Sequence, residues 1–156
     1  EPYELLALAR TVQTAGALER VLELSLDYAG EREQFGRPIS KFQAIQHNLA
    51  VLAAEVAAAV RAGDAAAAAL GTPRQRVEIA AAKARVGEAA GVVAEIAHQV
   101  HGAMGFTHEH RLHHFTRRAW AWRDEFGNDV FWRRELGAHI ASVGADAMWD
   151  FIATRG

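Results

Sequence analysis

Arg32, Gln34, Phe35, Arg37, Lys41 and Gln43 lie close together around a Phe35-Gly36 pair that interrupts two long helical patterns. Guanidinium and carboxamide groups can bind a phosphate or an adenine edge, and a phenyl ring can pack on an aromatic ring. The same residues also suit a well-packed interhelical loop with surface charges, although a bare helix-helix link would be shorter and less polar. A second stretch, Gln99-Val100-His101-Gly102-Ala103-Met104-Gly105-Phe106, follows a helical pattern. Its glycines would let backbone approach a ligand closely, or they form a helix C-cap followed by a turn.

Two further groups carry titratable side chains. His101, His108, His110, His113 and His114 cluster in sequence, and on a helix His110 would share a face with His113 or His114 at a metal-ligand spacing. The His-Glu-x-x-His arrangement is missing. Surface or interface histidines are therefore the expectation, and no metal ligand is assigned. In Trp120-Ala121-Trp122-Arg123-Asp124-Glu125-Phe126-Gly127, two carboxylates precede a glycine turn beside tryptophans. Such a carboxylate in an apolar pocket could take up a proton. The alternative is a helix end with solvated charges, which would oppose the helix dipole.

The elements that must position these groups read as helices. Leu5, Leu8, Val12, Ala15, Leu18, Leu22 and Leu26 predict one apolar helical face from Pro2 to about Ala29, with Gly30 as the stop. Ser40 and Gln43 suit a capping box for a second helix, which carries Phe42, Ile45, Leu49, Leu52, Val56 and Val60 and ends near Leu70-Gly71. Thr72-Pro73-Arg74-Gln75 restarts the chain as cap, N1 and N3, so the second and third helices are expected to be antiparallel neighbours. The third, to about Val100, is rich in alanine and should pack on more than one side. Thr107 is expected to cap a fourth helix through about Arg123. Gly127-Asn128-Asp129 is a turn with cap chemistry, and Val130 to Ile152 forms one helix or two, broken near Gly144. No convincing strand alternation is present. The expected fold is all-α: an up-down four-helix bundle with a short additional C-terminal helix, in a single domain spanning 1–156.

Composition narrows the function classes. Seventeen basic and nineteen acidic residues give a net charge of -2, which does not suggest a nucleic-acid surface. The chain has no cysteine, which excludes disulfides and thiolate metal sites and is compatible with the cytoplasm, the expected location. Its first residues lack the pattern of a signal peptide. Glu55, Arg61 and Asp64 interrupt the most apolar run, so no membrane span is expected.

Taken together, Tyr28 to Gln46 and Gln99 to Phe106 resemble the C-terminal helical domain of the acyl-CoA dehydrogenase family, over essentially the whole chain. The resemblance implies a flavoenzyme that oxidises acyl-CoA thioesters to trans-2-enoyl-CoA. A base would remove the alpha proton while hydride passes to FAD, and an electron-transfer flavoprotein would take the electrons. It implies a homo- or hetero-oligomer in which the loop and the glycine segment touch a neighbouring subunit's FAD. By position, Arg32, Gln34, Phe35, Gln43, Gln99, Gly102 and Ala103 would contact FAD, and Gly127 and Asn128 are added to that set. Gln43 has two competing readings, cap and ligand.

The sequence departs from the family pattern in three places. Ala103 replaces the second glycine of a Gly-Gly pair. The glutamate expected before Gly127 is Phe126, which leaves Glu125, one residue off, as the candidate base. A branch that draws its base from the first helix would find Leu6 and Ala7 there, with Glu4 nearby and Arg10 as the only substitute for a substrate-binding arginine. The family's N-terminal α domain and middle β domain have no counterpart in 1–156, so this chain is not expected to turn over substrate alone. The alternative readings are a non-catalytic assembly subunit of a hetero-oligomeric dehydrogenase and a His-rich metal-binding bundle.

Overall fold

The computed structural model describes residues 1–154. Six helices follow in order: α1 (Pro2–Glu31), α2 (Gln43–Ala68), α3 (Gln75–His101), α4 (Leu112–Asp124), α5 (Asp129–Val143) and α6 (Ala145–Ala153). Contacts at their ends set the directions. Tyr3 at the start of α1 meets Phe126 beyond the end of α4, and Tyr28 near the end of α1 stacks on His101 at the end of α3. Helices α1 and α3 therefore run one way and α2 and α4 the other, in an up-down-up-down bundle. The α5 helix lies on the N-terminal half of α3, where Arg76 pairs with Glu135. The sixth helix turns back, and the Arg74 guanidinium lies 4.4 Å from the ring centre of Phe151.

The third helix is the central element, touching α1, α2, α4 and α5. Its buried residues include Ala80, Ala84, Val86, Ala90, Val93, Ala94 and Ala97. Small side chains let four neighbours approach one axis, which offsets the smaller apolar area that each alanine buries. The main core joins Leu18, Val21, Leu52, Val56, Val86, Val93 and Leu112. A second cluster gathers Ala7, Leu8, Ile79 and the fully buried Trp132.

Several boundaries and faces differ from the sequence reading. The first helix runs through Gly30 to Glu31, and the Arg32 amide closes it on the Tyr28 carbonyl. Its core face is only partly the expected stripe: Leu8, Ala15 and Leu18 are buried and Leu22 packs on the core, but Leu5, Val12 and Leu26 are about half exposed, and Ala7, Thr11, Thr14, Val21 and Ser25 are buried in their place. The hydroxyls of Thr11, Thr14 and Ser25 donate to carbonyls four residues back, so small polar residues can face the core without an unsatisfied donor. The Ser40 capping box does not form. Residues Ile39–Lys41 make a 3-10 turn, Phe42 is the N-cap of α2, and Gln46 donates to the Ser40 carbonyl.

Helix α3 starts at Gln75 rather than Pro73. Thr72 accepts from the Arg74 amide, and Gln75 accepts from the Gly71 amide. Thr107 follows a 3-10 turn over Gly102–Phe106 instead of capping α4, which begins five residues later. Two short strands, β1 (Glu33–Gln34) and β2 (Arg37–Pro38), pair antiparallel where no strand was expected. A hairpin with two-residue arms is too short to carry an alternation signal.

Candidate functional site

The hairpin explains the first candidate loop. Glu33 pairs with Pro38 and Gln34 with Arg37, leaving Phe35-Gly36 as a two-residue turn. Both turn residues have positive φ, 52° at Phe35 and 77° at Gly36, as a type I′ turn requires. Phe35 lacks the backbone tolerance of Asn or Gly and is still 93% exposed. A large apolar side chain is thus held outward at a backbone cost. The Arg37 guanidinium lies 4.3 Å from the centre of the Phe42 ring, which props the hairpin against the start of α2.

At the end of α3, Gly102 takes φ 58° and ψ -143°, and a Cβ there would meet nothing within 4 Å. That face is open to a ligand. Gly105 is packed instead: a Cβ would lie 3.0 Å from His101 and Leu112 side-chain atoms and 3.1 Å from Nδ1 of His98. The hairpin and the helix end converge on one cavity of about 530 Å³. Arg32, Gln34 and Phe35 line it from one side, and Gln99, Gly102 and Ala103 from the other. Among the described residues, Arg32, Gln34 and Gln99 have no side-chain hydrogen bond or ion pair.

Tyr28, Phe42 and His101 add aromatic rings to the wall, beside apolar residues such as Ile39 and Val100. His101 is 2% exposed, and its Nδ1 lies 2.7 Å from the Ala97 carbonyl. Burial pushes its pKa down to about 4, so the ring is neutral. Its Nδ1 then donates to Ala97, and Nε2 has no partner. Tyr28, Ile39, Phe42 and Ile45 line the cavity and were not among the expected site residues. For Tyr28 the available signal was its position one turn before Arg32.

Gln43 is the first residue of α2 and does not line the cavity. Gly127 and Asn128 lie elsewhere. They form the α4–α5 turn, which packs near Tyr3, whereas the cavity includes Tyr28, roughly 37 Å further along α1 at 1.5 Å per residue. In that turn Phe126 has φ 56° and Gly127 φ 90°. The Phe126 carbonyl accepts from Nε1 of Trp132 at 2.9 Å, and Asn128 caps α5 by accepting from the Phe131 amide.

Glu125 closes α4, and its carboxylate is paired with the guanidinium of Arg10. Arg10 also lies 5.5 Å from the centre of the Trp122 ring and donates to Gln13. Glu125, the candidate base, and Arg10, the candidate substitute arginine, are therefore bound to each other across the bundle. Glu4 is committed elsewhere. Gln75 donates to it and Arg76 pairs with it, and these bonds hold its carboxyl below the usual range.

The histidines divide between two settings. His101 and His110 surround Tyr28, and His98 lies parallel to Phe106 at 4.4 Å. His108, His113 and His114 neighbour one another near the start of α4. His110 precedes α4 and shares no helical face with His113 or His114. Among the described residues, no three His, Asp or Glu side chains are arranged to hold a metal ion.

The fold is an up-down helical bundle whose hairpin and helix end hold unpaired donors around an open cavity. The chain belongs to the acyl-CoA dehydrogenase family, as its C-terminal helical domain: the family model described as acyl-CoA dehydrogenase, C-terminal domain, matches residues 4–140. It is 40% identical over 113 residues to acyl-CoA dehydrogenase IpdE2 of Mycobacterium tuberculosis, covering 72% of this chain and 34% of that protein. It is 38% identical over 155 residues to acyl-CoA dehydrogenase FadE34 of the same organism, covering 90% of this chain and 22% of that protein. In the crystal structure of the ChsE4-ChsE5 complex from M. tuberculosis, a chain 31% identical superposes with a TM-score of 0.86, covering 92% of this chain and 39% of that one. The chain thus spans between about a fifth and two fifths of these three proteins. No helix among the described residues is long and apolar enough to cross a membrane.

Proposed function

We propose that this domain supplies FAD contacts and oligomer contacts to an enzyme that desaturates an acyl-CoA thioester between its alpha and beta carbons. The observation that carries this reading is the convergence of Arg32, Gln34 and Phe35 with Gln99, Gly102 and Ala103 on one cavity. The lining fits a flavin dinucleotide. Arg32 is a cation with no carboxylate partner among the described residues, suited to a pyrophosphate. Gln34 and Gln99 offer carboxamides to an adenine edge. Phe35 offers an aromatic face, and Gly102 leaves room for a close backbone approach. The Ala103 methyl is an exposed part of the same rim, and Gln43 reaches a ligand only from outside the cavity.

Bound there, FAD would supply the hydride acceptor. The chain's own part in the chemistry lies at the α4–α5 turn, where Glu125 is the candidate proton acceptor. Because that turn and the cavity are a helix length apart, a flavin touched by Gly127 or Asn128 is not the one held by the same copy's hairpin. A site shared between copies, homo- or hetero-oligomeric, follows. The ChsE4-ChsE5 complex, a relative of unlike subunits, supports the second possibility. The electron acceptor proposed is an electron-transfer flavoprotein, and the location cytoplasmic.

The test is Arg32→Ala in the protein that carries this domain. Removing a charge-assisted contact worth about 1.5–3 kcal/mol should weaken FAD retention at least tenfold. Unchanged flavin occupancy after gel filtration would overturn the assignment.

A further inference from the structure

Lys83 is a buried charged group that the proposed function leaves unused. It sits in an alanine-rich stretch of α3, is 2% exposed, and is enclosed by this chain's own helices. Its burial therefore needs no other domain or subunit. Its ammonium Nζ reaches across to α4 and donates to the carbonyls of Arg123 at 2.7 Å and Trp122 at 3.3 Å. These belong to the last turn of α4, whose carbonyls have no partners within the helix. A cation at a helix C-terminus also meets the negative end of the helix dipole.

The rest of the α3 face is shaped to the same junction. One turn beyond Lys83, Gly87 leaves its Cβ position 3.4 Å from the Asp129 side chain at the start of α5. Another turn on, Gly91 leaves its own 3.5 Å from the Arg123 guanidinium. Two glycines thus admit both ends of the α4–α5 turn while the lysine binds the first end. The charged groups facing Lys83 are Asp124 and Glu125 at the end of α4 and Asp129 on α5. Arg10 of α1 lies behind Glu125.

We propose that Lys83 is a positioning residue that fixes the end of α4, and with it the direction in which Glu125 and Phe126 leave the helix. This assignment to catalysis rests on the reading that the α4–α5 turn faces the reacting acyl group. Lys83 touches no reacting atom. It acts through the carbonyls of Trp122 and Arg123, and the Trp122 carbonyl also accepts the Glu125 amide at 3.2 Å.

Two hydrogen-bonded protons report on the turn: the Glu125 amide, bound to Trp122, and the Trp132 indole N–H, bound to the Phe126 carbonyl. In Lys83→Met, both should shift in proton–nitrogen NMR spectra of the protein and lose at least tenfold of their protection from exchange. Lys83→Arg keeps a cationic donor and should restore most of that protection. Unchanged signals in Lys83→Met, or no rescue in a folded Lys83→Arg, would overturn the proposal. In the flavin-loaded enzyme, Lys83→Met should lower kcat at least tenfold with flavin content unchanged. If the two reporters move and kcat does not, the positioning stands and the reading that this turn faces the acyl group fails.

Discussion

Glu125 is not a free carboxylate, because it forms an ion pair with Arg10. Its Oε2 is paired with Arg10, which also lies beside the Trp122 ring, so its geometry is tied to the first helix. The expected base position, Phe126, is turned toward Tyr3 and Trp132 and offers no acid–base group. Glu125→Gln in the full enzyme should therefore reduce turnover by at least a hundredfold, with flavin retained, if Glu125 is the base. Turnover within a factor of about three of the parent would remove it from the mechanism.

His101 makes a prediction of the opposite kind, about stability. Its folded pKa of about 4 lies below the ordinary 6.5, so the unfolded chain binds the extra proton first. The stability it contributes is complete above pH 6.5 and is lost as pH falls toward 4, by up to about 1.4 kcal/mol per pH unit. His98 and His110 are also pushed down by burial and add to the same trend. Urea midpoints across this window should fall less steeply in His101→Phe, which keeps the stacking on Tyr28. An identical slope in that variant would show that His101 is not the group titrating.

Among the elements, the α4–α5 turn is the most tightly specified. Gly127 has φ 90°, and an added Cβ would lie 2.7 Å from both Phe131 and Trp132 side-chain atoms. Gly127→Ala combines a strained backbone with an overlap against a fully buried tryptophan, and should destabilise by about 2–4 kcal/mol. Denaturant midpoints would measure it, and a loss below about 1 kcal/mol would mean that the turn can re-register. Such freedom is what Glu125 would need to replace Phe126, so this measurement bears on the candidate base. The hairpin is different in kind. It contributes little to the core, and its strain at Phe35 serves an outward-facing ring.

On the scale of the whole molecule, the two halves of the proposed site sit at opposite ends of a thirty-residue helix. One copy cannot close its own cavity onto its own turn. A mixed oligomer of Arg32→Ala and Glu125→Gln copies should therefore recover part of the activity that each lacks alone, since some sites combine an intact loop with an intact turn. Recovery no greater than the average of the parents would argue that each copy works by itself.

Much of this protein could be read in its sequence, because the signals are local. The Asn128 cap, the break at Gly144 and the run of small residues on α3 follow from backbone chemistry and spacing within a few turns. The loop and the glycine segment made the family legible, because the resemblance lies in their residue order, and the family model matches residues 4–140. What the sequence could not decide depends on contacts between distant residues. Hydroxyl residues face the core on α1 because their own carbonyls satisfy them, and that leaves the leucines Leu5 and Leu26 half exposed. Only packing brought Arg10 to Glu125 and Lys83 to the end of α4, across separations that no periodicity encodes. Only the bundle's direction placed the Arg32 loop beside Gly102 and both of them far from Phe126, because chain order fixes neighbours along a helix but not which helix ends meet.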